Sequence, residues 1–357
     1  MRIYRPIESN SADSENKVPV DNLLQKLHKN WEHYQLAVTA EDNRNSTAAK
    51  KPLIVIVCVS GGSDSVALLH LLERQRTLLN LEPHLLHFNH QLRSEAVQEQ
   101  DFVRSLADQY EIPFHHKIAK HLKSGQPALQ ESAREWRIEE SRKLLKHLGG
   151  GRIATGHQAD DQLETLLLKL LRGTHISNLQ GMQWTNEDFI RPLLNCKKTE
   201  LQEYLKTNQL TWLEDTSNHS TAYLRNRVRL ELIPLLEELT RQGLHSRIYD
   251  LSEQSRLLRE FLDSNYKNWQ QNHKNPATNF QDVLPVKVLE QANDLLQQEI
   301  LHNFITARTG QALSYRKLQN IFAQLRTGNN LWEMHLSQEW IIRKSGKDLC
   351  LLQNQQQ

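Results

Sequence analysis

The amino-acid sequence predicts an α/β protein in which helices cover both faces of a parallel sheet, followed by a smaller, mostly helical C-terminal domain. From residue 51, apolar segments rich in β-branched residues alternate with segments of helical periodicity, which is typical of βαβ units. After about Gly181 this alternation fades, and helical patterns with many Gln and Leu residues follow. We therefore expect a polar N-terminal extension over residues 1–50, an α/β domain over 51–245 and a small domain over 246–357.

The strands and helices of the α/β domain are predicted in order from the apolar pattern. Residues 53–59 are apolar on both faces, as expected of a strand buried in a parallel sheet. Further strands are predicted at 84–90, 113–119 and 151–157. The intervening helices are predicted at 65–79, 95–110, 127–148 and 160–172.

The two ends of the chain have different patterns. Residues 1–19 are polar, and we expect them to be disordered. Residues 21–38 have apolar side chains at helical spacing and predict one helix, from which a polar linker leads to residue 51. In the C-terminal domain we predict helices near 250–270, 286–308 and 314–326, and a short β segment at 338–352.

Composition and charge limit the classes of function. The formal net charge is +2, so any basic surface for nucleic acid has to be local. The three cysteines are far apart in sequence, which argues against a disulfide framework and against a cysteine-based metal site. No apolar run approaches the roughly 18 residues of a membrane-spanning helix, and no apolar signal core begins the chain. We expect a cytoplasmic protein.

The segment SGGSDS, residues 60–65, lies where the first strand of the α/β domain ends and a helix begins. Two glycines permit a sharp turn and a close approach to a ligand, and free N–H groups at a helix start favour anions. The hydroxyl groups of Ser60, Ser63 and Ser65 add donors for a phosphate. Asp64 would repel that phosphate unless Mg²⁺ lies between them. The context favours a phosphate site over a plain capped turn, and the motif is neither a Walker A loop nor GxGxxG.

This loop resembles the SGGxDS loop of the PP-loop family, the N-type ATP pyrophosphatases. The resemblance implies an adenine nucleotide α hydrolase-like fold and an enzyme that cleaves ATP between its α and β phosphates. It also implies that the loop holds the departing pyrophosphate. The implied ATP-binding residues are Ser60, Gly61, Gly62, Ser63, Asp64 and Ser65.

Five further segments, taken together and in order, resemble the tRNA(Ile)-lysidine synthetase family over roughly residues 50–240. The segments are HFNHQLR (87–93), QESAREWRIEESRKLL (130–145), ATGHQADDQLETLLLKLLRGT (154–174), FIRPLLNCKKTELQEYL (189–205) and WLEDTSNHSTAYLRNRVRLELIPLL (212–236). The C-terminal part, including LSYRKLQNIF (313–322), resembles the small tRNA-binding domain of that family.

The resemblance implies a reaction in two steps. The O2 atom of the wobble cytidine in an isoleucine tRNA with a CAU anticodon attacks the α-phosphorus of ATP, and pyrophosphate leaves. The amine of free lysine then attacks C2 and AMP leaves, so that lysidine forms and the codon read changes from AUG to AUA. The implied protein is a carbon–nitrogen ligase that uses ATP and Mg²⁺, with no membrane and no required protein partner. A homodimer is left open.

The residues and the resemblance together assign roles to individual side chains. The residues implied in catalysis are Asp64, Arg134, His157, Asp161 and Glu164. The implied Mg²⁺ ligands are Asp64 and Asp161. The implied tRNA or substrate contacts are Arg137, Arg172, Arg225, Asn226 and Arg227.

The acidic helix start and His157 each have a second explanation. Asp161 and Glu164 share a helix face at i, i+3, where they can bind the lysine ammonium group and accept its proton. Acidic residues in a first helical turn also complement the helix dipole. His157 suits a contact to the phosphates or the adenylate, and equally a plain hydrogen-bonded histidine.

The arginines and the turn before them are also open to two explanations. Arginines at i, i+3, such as Arg134 and Arg137, are common on a solvated helix face. The alternating arginines of YLRNRVR (223–229) predict a basic face of a strand or an irregular segment that contacts RNA or substrate, or else a helix surface balanced by Glu231. Asp215, Ser217 and Asn218 indicate a turn with helix capping, without a chemical role.

The sequence departs from the family pattern at one position of the site, and two rival functions have to be weighed against the resemblance. Gln158 stands where a second histidine often follows in this family. Related PP-loop enzymes that thiolate tRNA often need paired cysteines, and the sequence has no CxxC motif. A catalytically inactive tRNA-binding protein on the same scaffold would be expected to lose loop or acidic residues, and Asp64, Asp161 and Glu164 are all present.

Overall fold

A computed structural model describes residues 2–4, 20–38, 51–89, 96–119, 129–214, 224–241, 243–273, 283–311 and 313–354. The chain forms two compact units. The first unit comprises residues 1–168 and 181–249, and the second comprises residues 169–180 and 250–357.

The first unit holds the strands and helices that alternate in the α/β domain. Its strands are β1 (Arg2–Tyr4), β2 (Leu53–Cys58), β3 (Leu81–Asn89), β4 (Phe114–Ile118), β5 (Arg152–Ala154), β6 (Thr185–Asn186), β7 (Phe189–Ile190) and β8 (Trp212–Glu214). Its helices are α1 (Val20–His33), α2 (Ser63–Arg74), α3 (Ala96–Gln109), α4 (Leu129–His147), α5 (Ala159–Arg172), α6 (Lys198–Thr207), α7 (Leu224–Arg227) and α8 (Ile233–Thr240), with a π-helical turn at Val228–Leu232. The last four residues of α5 belong to the second unit.

Six strands form the central sheet of the first unit in the order β4-β3-β2-β5-β7-β6. All neighbouring pairs are parallel except β6 with β7, which form a short antiparallel hairpin. After β2 the chain adds β3 and β4 on one side and then returns to add β5 on the other. This reversal is a topological switch point, where ligands bind beyond the carboxyl ends of the strands.

Helices cover both faces of this sheet, as predicted, because the buried strands are apolar on both sides. Val55 and Val57 belong to a large core with apolar residues of α1, α2, α3 and α6. Ile56, between them in β2, points to the opposite face and packs in a smaller cluster with Leu144 and Leu145 of α4.

The helix predicted within the N-terminal extension is part of the core of the first unit. Leu23, Leu27 and Trp31 of α1 are buried there, because they recur on one face of the helix. The Asn30 side-chain amide donates to the Pro192 carbonyl at 2.9 Å, and Lys26 pairs with Glu200 at 3.1 Å.

Several sequence expectations are corrected. Arg2–Tyr4, expected to be disordered, pairs antiparallel with β8. The predicted sheet is parallel except at one edge, where the short polar strand β6, which was not predicted, pairs antiparallel with β7. The helix predicted at 65–79 begins at Ser63 and ends at Arg74, and Asn80, with φ +51°, turns the chain into β3. The strand predicted at 151–157 ends at Ala154, which leaves Thr155–His157 in a loop.

The second unit combines helices with a small sheet. Its helices are α9 (Leu244–Asn272, from Asp250 onward), α10 (Val286–Glu290), α11 (Asp294–Thr309) and α12 (Tyr315–Arg326). Its antiparallel sheet has the order β10 (Leu331–His335), β11 (Trp340–Ser345), β12 (Asp348–Gln353), β9 (Val283–Pro285). Both pack around one apolar core that includes Leu301, Ile321 and Leu349.

In the parts of the chain that the structure describes, no helix combines the length and the apolar character that crossing a bilayer requires.

Candidate active site

The glycine loop joins β2 to α2 at the carboxyl edge of the sheet. Gly61 has φ +92°, which favours glycine, and a β-carbon there would lie 2.8 Å from Cδ1 of Leu213. The Ser65 hydroxyl donates to the Gly62 carbonyl at 2.9 Å and accepts from the Ser60 backbone N–H at 3.2 Å. Gly62 is the N-cap of α2 and has no side chain to cap it. The first N–H groups of α2 are therefore suited to an anion.

Asp64 is the acidic residue of this loop, and its surroundings disfavour its charge. Burial raises the pKa of Asp64 to about 6, the nearby carboxylate of Asp161 adds to the rise, and the charge of Lys198 opposes it. The Ser63 hydroxyl donates to Oδ1 of Asp64 at 3.0 Å. A partly buried carboxylate near another acid gains from a cation, so a phosphate-bound metal ion would be favourable here.

The loop after β5 packs against the start of α2. A β-carbon on Gly156 would lie 3.1 Å from the carbonyl carbon and oxygen of Asp64 and 3.1 Å from the backbone nitrogen of Ser65. This close approach joins the glycine loop to the residues that follow β5. The two loops lie at the switch point between β2 and β5.

His157 follows directly after Gly156. Its Nδ1 atom lies 2.8 Å from Oγ1 of Thr155. Burial lowers the pKa of His157 to about 3, and the positive charges of four arginines lower it further. These arginines are Arg191, Arg225, Arg134 and Arg137. The imidazole is therefore neutral at physiological pH and lies among cations that suit phosphate groups.

Gln158, in place of a second histidine, organises the start of α5. Its side-chain oxygen accepts a hydrogen bond from the backbone N–H of Asp160 at 2.6 Å, and its own N–H donates to Oδ2 of Asp161 at 3.1 Å. The Asp160 side chain contacts His245 instead, and Oδ1 of Asp160 lies 2.7 Å from Nε2 of His245. Asp161 therefore caps the start of α5 in part, a role in addition to the interaction with the helix dipole that was the alternative explanation.

Asp161 and Glu164 form an ion-pair cluster with two arginines. Nε of Arg225 donates to Oε2 of Glu164 at 2.7 Å, and Nε of Arg229 donates to Oε1. The outer guanidinium nitrogens lie 3.4 Å (Arg225) and 3.6 Å (Arg229) from Oδ1 of Asp161. The Glu164 side chain is 0% exposed, and the two guanidinium groups are the cations that pair with it in this buried position.

The structure brings most of the predicted catalytic residues together. Asp64, Asp161 and Glu164 lie within one electrostatic cluster with His157, and Arg134 and Arg137 of α4 act on the same histidine. Arg225, predicted to contact tRNA, is bound to the acid pair. Residues 90–93 of the HFNHQLR segment, and Asp215, Ser217 and Asn218, lie outside the described residues.

The other predicted RNA contacts are spread more widely. Arg227 is exposed and pairs with Glu231 at 3.0 Å, as a balanced helix surface predicts. Asn226 lies beside it on α7 and is half-buried. Arg172 is exposed at the end of α5 and belongs to the second unit. The segment is helical from Leu224 onward, so the strand or irregular structure expected at 223–229 is wrong and the alternative of a helix holds.

Two cations of the site, Arg191 and Lys198, were not predicted as functional residues, and a third, Arg229, was predicted only as part of the basic segment YLRNRVR (223–229). Arg229 is four residues after Arg225, the spacing that puts both on one helical face. Arg191 directly follows β7, and one of its terminal guanidinium nitrogens donates to the Gln183 carbonyl at 2.7 Å. Lys198 begins α6 and lowers the pKa of Asp64. In the sequence, the signal that could have identified Arg191 and Lys198 was a basic residue at the end of a strand and at the start of a helix.

The acidic residues of the site suit a Mg²⁺ ion that is bound jointly by the protein and by a nucleotide phosphate. Among the described residues, no group of three or more His, Cys, Asp and Glu side chains is arranged to hold a metal ion. Mg²⁺ needs no such group, because one or two carboxylates and the phosphates of a nucleotide suffice. Asp64 fits that role, whereas both oxygens of Asp161 already have protein partners, the Gln158 N–H and the arginines.

Residues 32–236 match the PP-loop domain family. The chain belongs to the PP-loop family. Among solved structures, the fold is similar to that of the U34-tRNA thiolase NcsA of Methanococcus maripaludis, with a TM-score of 0.52 and 15% identity over 67% of this chain and 78% of that one. This likeness supports the fold alone.

Two curated relatives of this PP-loop chain have the same name. The tRNA(Ile)-lysidine synthase of Enterococcus faecalis is 31% identical over 313 residues, which are 84% of this chain and 66% of that protein. The tRNA(Ile)-lysidine synthase of Thermotoga maritima is 31% identical over 212 residues, 58% of this chain and 51% of that protein. The chain thus spans between about half and two thirds of these relatives' lengths. The predicted resemblance to PP-loop proteins and lysidine synthetases is confirmed.

Proposed function

We propose that this PP-loop protein ligates free lysine to C2 of the wobble cytidine in an isoleucine tRNA with a CAU anticodon. The observation that carries the proposal is the contact of Gly156 with Asp64, which joins the glycine loop to His157 and to the acid pair at α5. A phosphate site and an amine site are thereby adjacent. Two relatives named tRNA(Ile)-lysidine synthase support the choice of substrates.

In the first step, the cytidine O2 forms a bond to the α-phosphorus of ATP and the bond to the β-phosphate oxygen breaks. The N–H groups at the start of α2 and the hydroxyls of Ser60 and Ser63 bind the departing pyrophosphate. Arginines near His157 stabilise the negative charge that develops on the α-phosphate. Mg²⁺ held by Asp64 would neutralise phosphate charge, and Asp161 could serve as a second ligand only after it releases one of its protein partners.

In the second step, a lysine amine forms a bond to C2, and the bond between C2 and the adenylate oxygen breaks to release AMP. The amine has a pKa of about 10.4 in water, so it must lose a proton before it attacks. Asp161 and Glu164 are the carboxylates at the site that can bind the ammonium ion and accept that proton. We assign the pair, rather than either residue, to this role.

The cysteines of the first unit are unsuited to sulfur transfer. Burial raises the pKa of Cys58 to about 11 and that of Cys196 to about 12, so both remain protonated at physiological pH. A reactive thiolate requires the opposite environment. This disfavours a tRNA-thiolating reaction that uses either thiol.

The first half-reaction can be tested without lysine. We would incubate the protein with ATP, Mg²⁺ and an unmodified isoleucine tRNA transcript with a CAU anticodon, and measure pyrophosphate release and the mass of the anticodon nucleotides. We expect pyrophosphate release and a mass increase of one adenylate on the wobble cytidine. Pyrophosphate release that requires a different tRNA would keep PP-loop chemistry and reject the lysidine assignment. Tight tRNA binding without any release would indicate an inactive binding protein.

A further inference from the structure

The acid pair proposed to bind the lysine amine is already occupied by cations of the protein. Both Glu164 oxygens accept hydrogen bonds from guanidinium nitrogens, one from Arg225 and one from Arg229. Oδ1 of Asp161 lies within ion-pair distance of both arginines. A lysine ammonium group would compete with the two guanidinium groups for the same oxygens, and the like charges of the three cations would repel one another at close range.

The burial of these side chains shows which partner has to move. Glu164 is 0% exposed, whereas the side chains of Arg225 and Arg229 are 48% and 32% exposed. The arginines thus cover the acid from the solvent side. A lysine molecule that arrives from solution reaches Glu164 only after at least one guanidinium group leaves.

The arginine side chains can leave without unfolding the segment that carries them. Val228, between Arg227 and Arg229, is buried in an apolar cluster with Leu163 and Leu167 of α5. This packing holds the backbone in place while the long arginine side chains rotate. A π-helical turn at Val228–Leu232, a feature that is common at functional sites, begins at the same point.

A polyanion offers the arginines an alternative partner. Guanidinium groups bind phosphate in a bidentate geometry, and their exposed faces are accessible to the backbone of an RNA. When the arginines leave, two sets of ion pairs are broken and two are formed. Phosphates replace the carboxylates as partners of the arginines, and the lysine ammonium group replaces the arginines as partner of the acids, so no charge is left unpaired. A buried Glu164 left without a cation would be costly.

We propose that Arg225 and Arg229 occupy the lysine-ammonium site in the free enzyme, and that tRNA phosphates draw them away, so that lysine binds only after tRNA. This inference rests on the proposed function, since it needs lysine and tRNA as substrates. It assigns the arginines a gating role: the amine site opens when the RNA that will receive the amine is present.

The test is equilibrium binding of radiolabelled lysine to the full chain. Three samples are compared: protein alone, protein with a CAU-anticodon isoleucine tRNA, and protein with an unrelated polyanion, heparin. We expect lysine affinity at least about tenfold higher with the tRNA than for the protein alone, as for a site that the arginines occupy in at least about nine of ten free molecules. Equal lysine affinity with and without tRNA would overturn the gating role.

Variants separate gating from a purely structural ion pair. In the double variant Arg225→Lys/Arg229→Lys the positive charge beside the buried Glu164 is kept, which preserves the ion pairing that the fold needs. The Nε hydrogen bonds to Glu164 are lost, so the lysine side chains hold the site less tightly than the arginines do. We expect this variant to bind lysine without tRNA about tenfold more tightly than the wild type. The matched control is Arg142→Lys, whose ion pairs with Glu187 and Asp188 lie elsewhere, and it should leave lysine binding unchanged. An unchanged affinity in the double variant would show that the pair is structural.

Failure of the proposed function has a different signature. If lysine is not a substrate, labelled lysine binds none of the samples, with or without tRNA, and the double variant also fails to bind. If lysine is a substrate and the gating role is wrong, the protein alone binds lysine as tightly as the complex does.

Discussion

Gly156 lies so close to Asp64 that a β-carbon on it would be 3.1 Å from both the carbonyl carbon and the carbonyl oxygen of Asp64. These neighbours are backbone atoms at the first turn of α2, and they cannot move without moving the glycine loop. The contact therefore fixes the distance between the proposed phosphate site and the residues after β5.

Gly156→Ala should separate the two loops and weaken ATP use. We expect a loss of about 1–3 kcal/mol in kcat/KM for ATP, similar to the cost of overpacking a rigid contact. The measurement is the ATP dependence of pyrophosphate release. Gly310→Ala in the second unit is the control, because its φ of +66° strains an alanine although nothing lies within 4 Å of the added β-carbon. Equal effects of the two variants on KM for ATP would show that the Gly156 contact has no special role.

Asp64→Ala should abolish pyrophosphate release while tRNA binding stays within about twofold, because the carboxylate acts on the nucleotide phosphates and not on the RNA. Pyrophosphate release and filter binding of labelled tRNA measure the two effects. Asp101→Ala on the exposed side of α3 is the control and should change neither. Lost tRNA binding with retained pyrophosphate release would contradict the loop assignment.

Lys198→Met should shift the pH dependence of the first step. The reaction needs ionised Asp64, whose pKa of about 6 makes kcat/KM fall as the pH drops through that region. Lys198 lowers this pKa, so its removal should move the midpoint of the acid limb to higher pH. Lys197→Met, at the exposed neighbouring position, should leave the midpoint unchanged. An unmoved midpoint in Lys198→Met would assign the limb to another group.

His157→Gln should reduce the loss of stability in acid. The pKa of His157 is lowered to about 3 in the folded protein, so the unfolded chain takes up the proton first as the pH falls from about 6.5. Stability is therefore lost on acidification, by about 2–3 kcal/mol between about pH 7 and about pH 4.5 for this residue. Urea denaturation of both proteins at the two pH values measures the difference. The control is His33→Gln, at an exposed position of α1, which should lose as much stability in acid as the wild type. The same loss in His157→Gln would show that the imidazole of His157 takes up a proton in the folded protein.

Arg227→Ala should weaken tRNA binding and flatten its salt dependence. Its side chain is 60% exposed and pairs only weakly with Glu231 across the helix surface, so it is available to a phosphate. Loss of one phosphate contact should reduce the slope of log affinity against log salt by about 1. Arg76→Ala, whose partner is Glu73, is the control. A slope that matches the control would place Arg227 outside the RNA surface.

The sequence was sufficient to predict the sheet and the glycine loop, because both depend on local patterns. An apolar strand followed by two glycines and a helix has few alternatives, and β2 and Gly61 occur where they were expected, although α2 begins and ends earlier than predicted. Short strands carry too few residues for such a pattern. β6, with two residues, and β1, which pairs with β8 more than 200 residues away, depend on long-range partners instead.

The cations of the site were harder to predict for the same reason. The alternation of Arg225, Arg227 and Arg229 indicates a strand when periodicity is read alone, yet the segment is helical and the first and third arginines share one face. Lys198 and Arg191 come to the site through the packing of α6 and β7. The sequence around Lys198 and Arg191 does not indicate which carboxylate or histidine each of them influences in the folded protein.

The central claim is tested most directly by incorporation of labelled lysine into tRNA. The substrate is an unmodified isoleucine tRNA transcript with a CAU anticodon, and a methionine tRNA with the same anticodon is the control. We predict label on the isoleucine tRNA that requires ATP, is absent from the methionine tRNA, and is lost in Asp64→Ala. The absence of label on the isoleucine tRNA, under conditions in which ATP is still cleaved to AMP and pyrophosphate, would contradict the account.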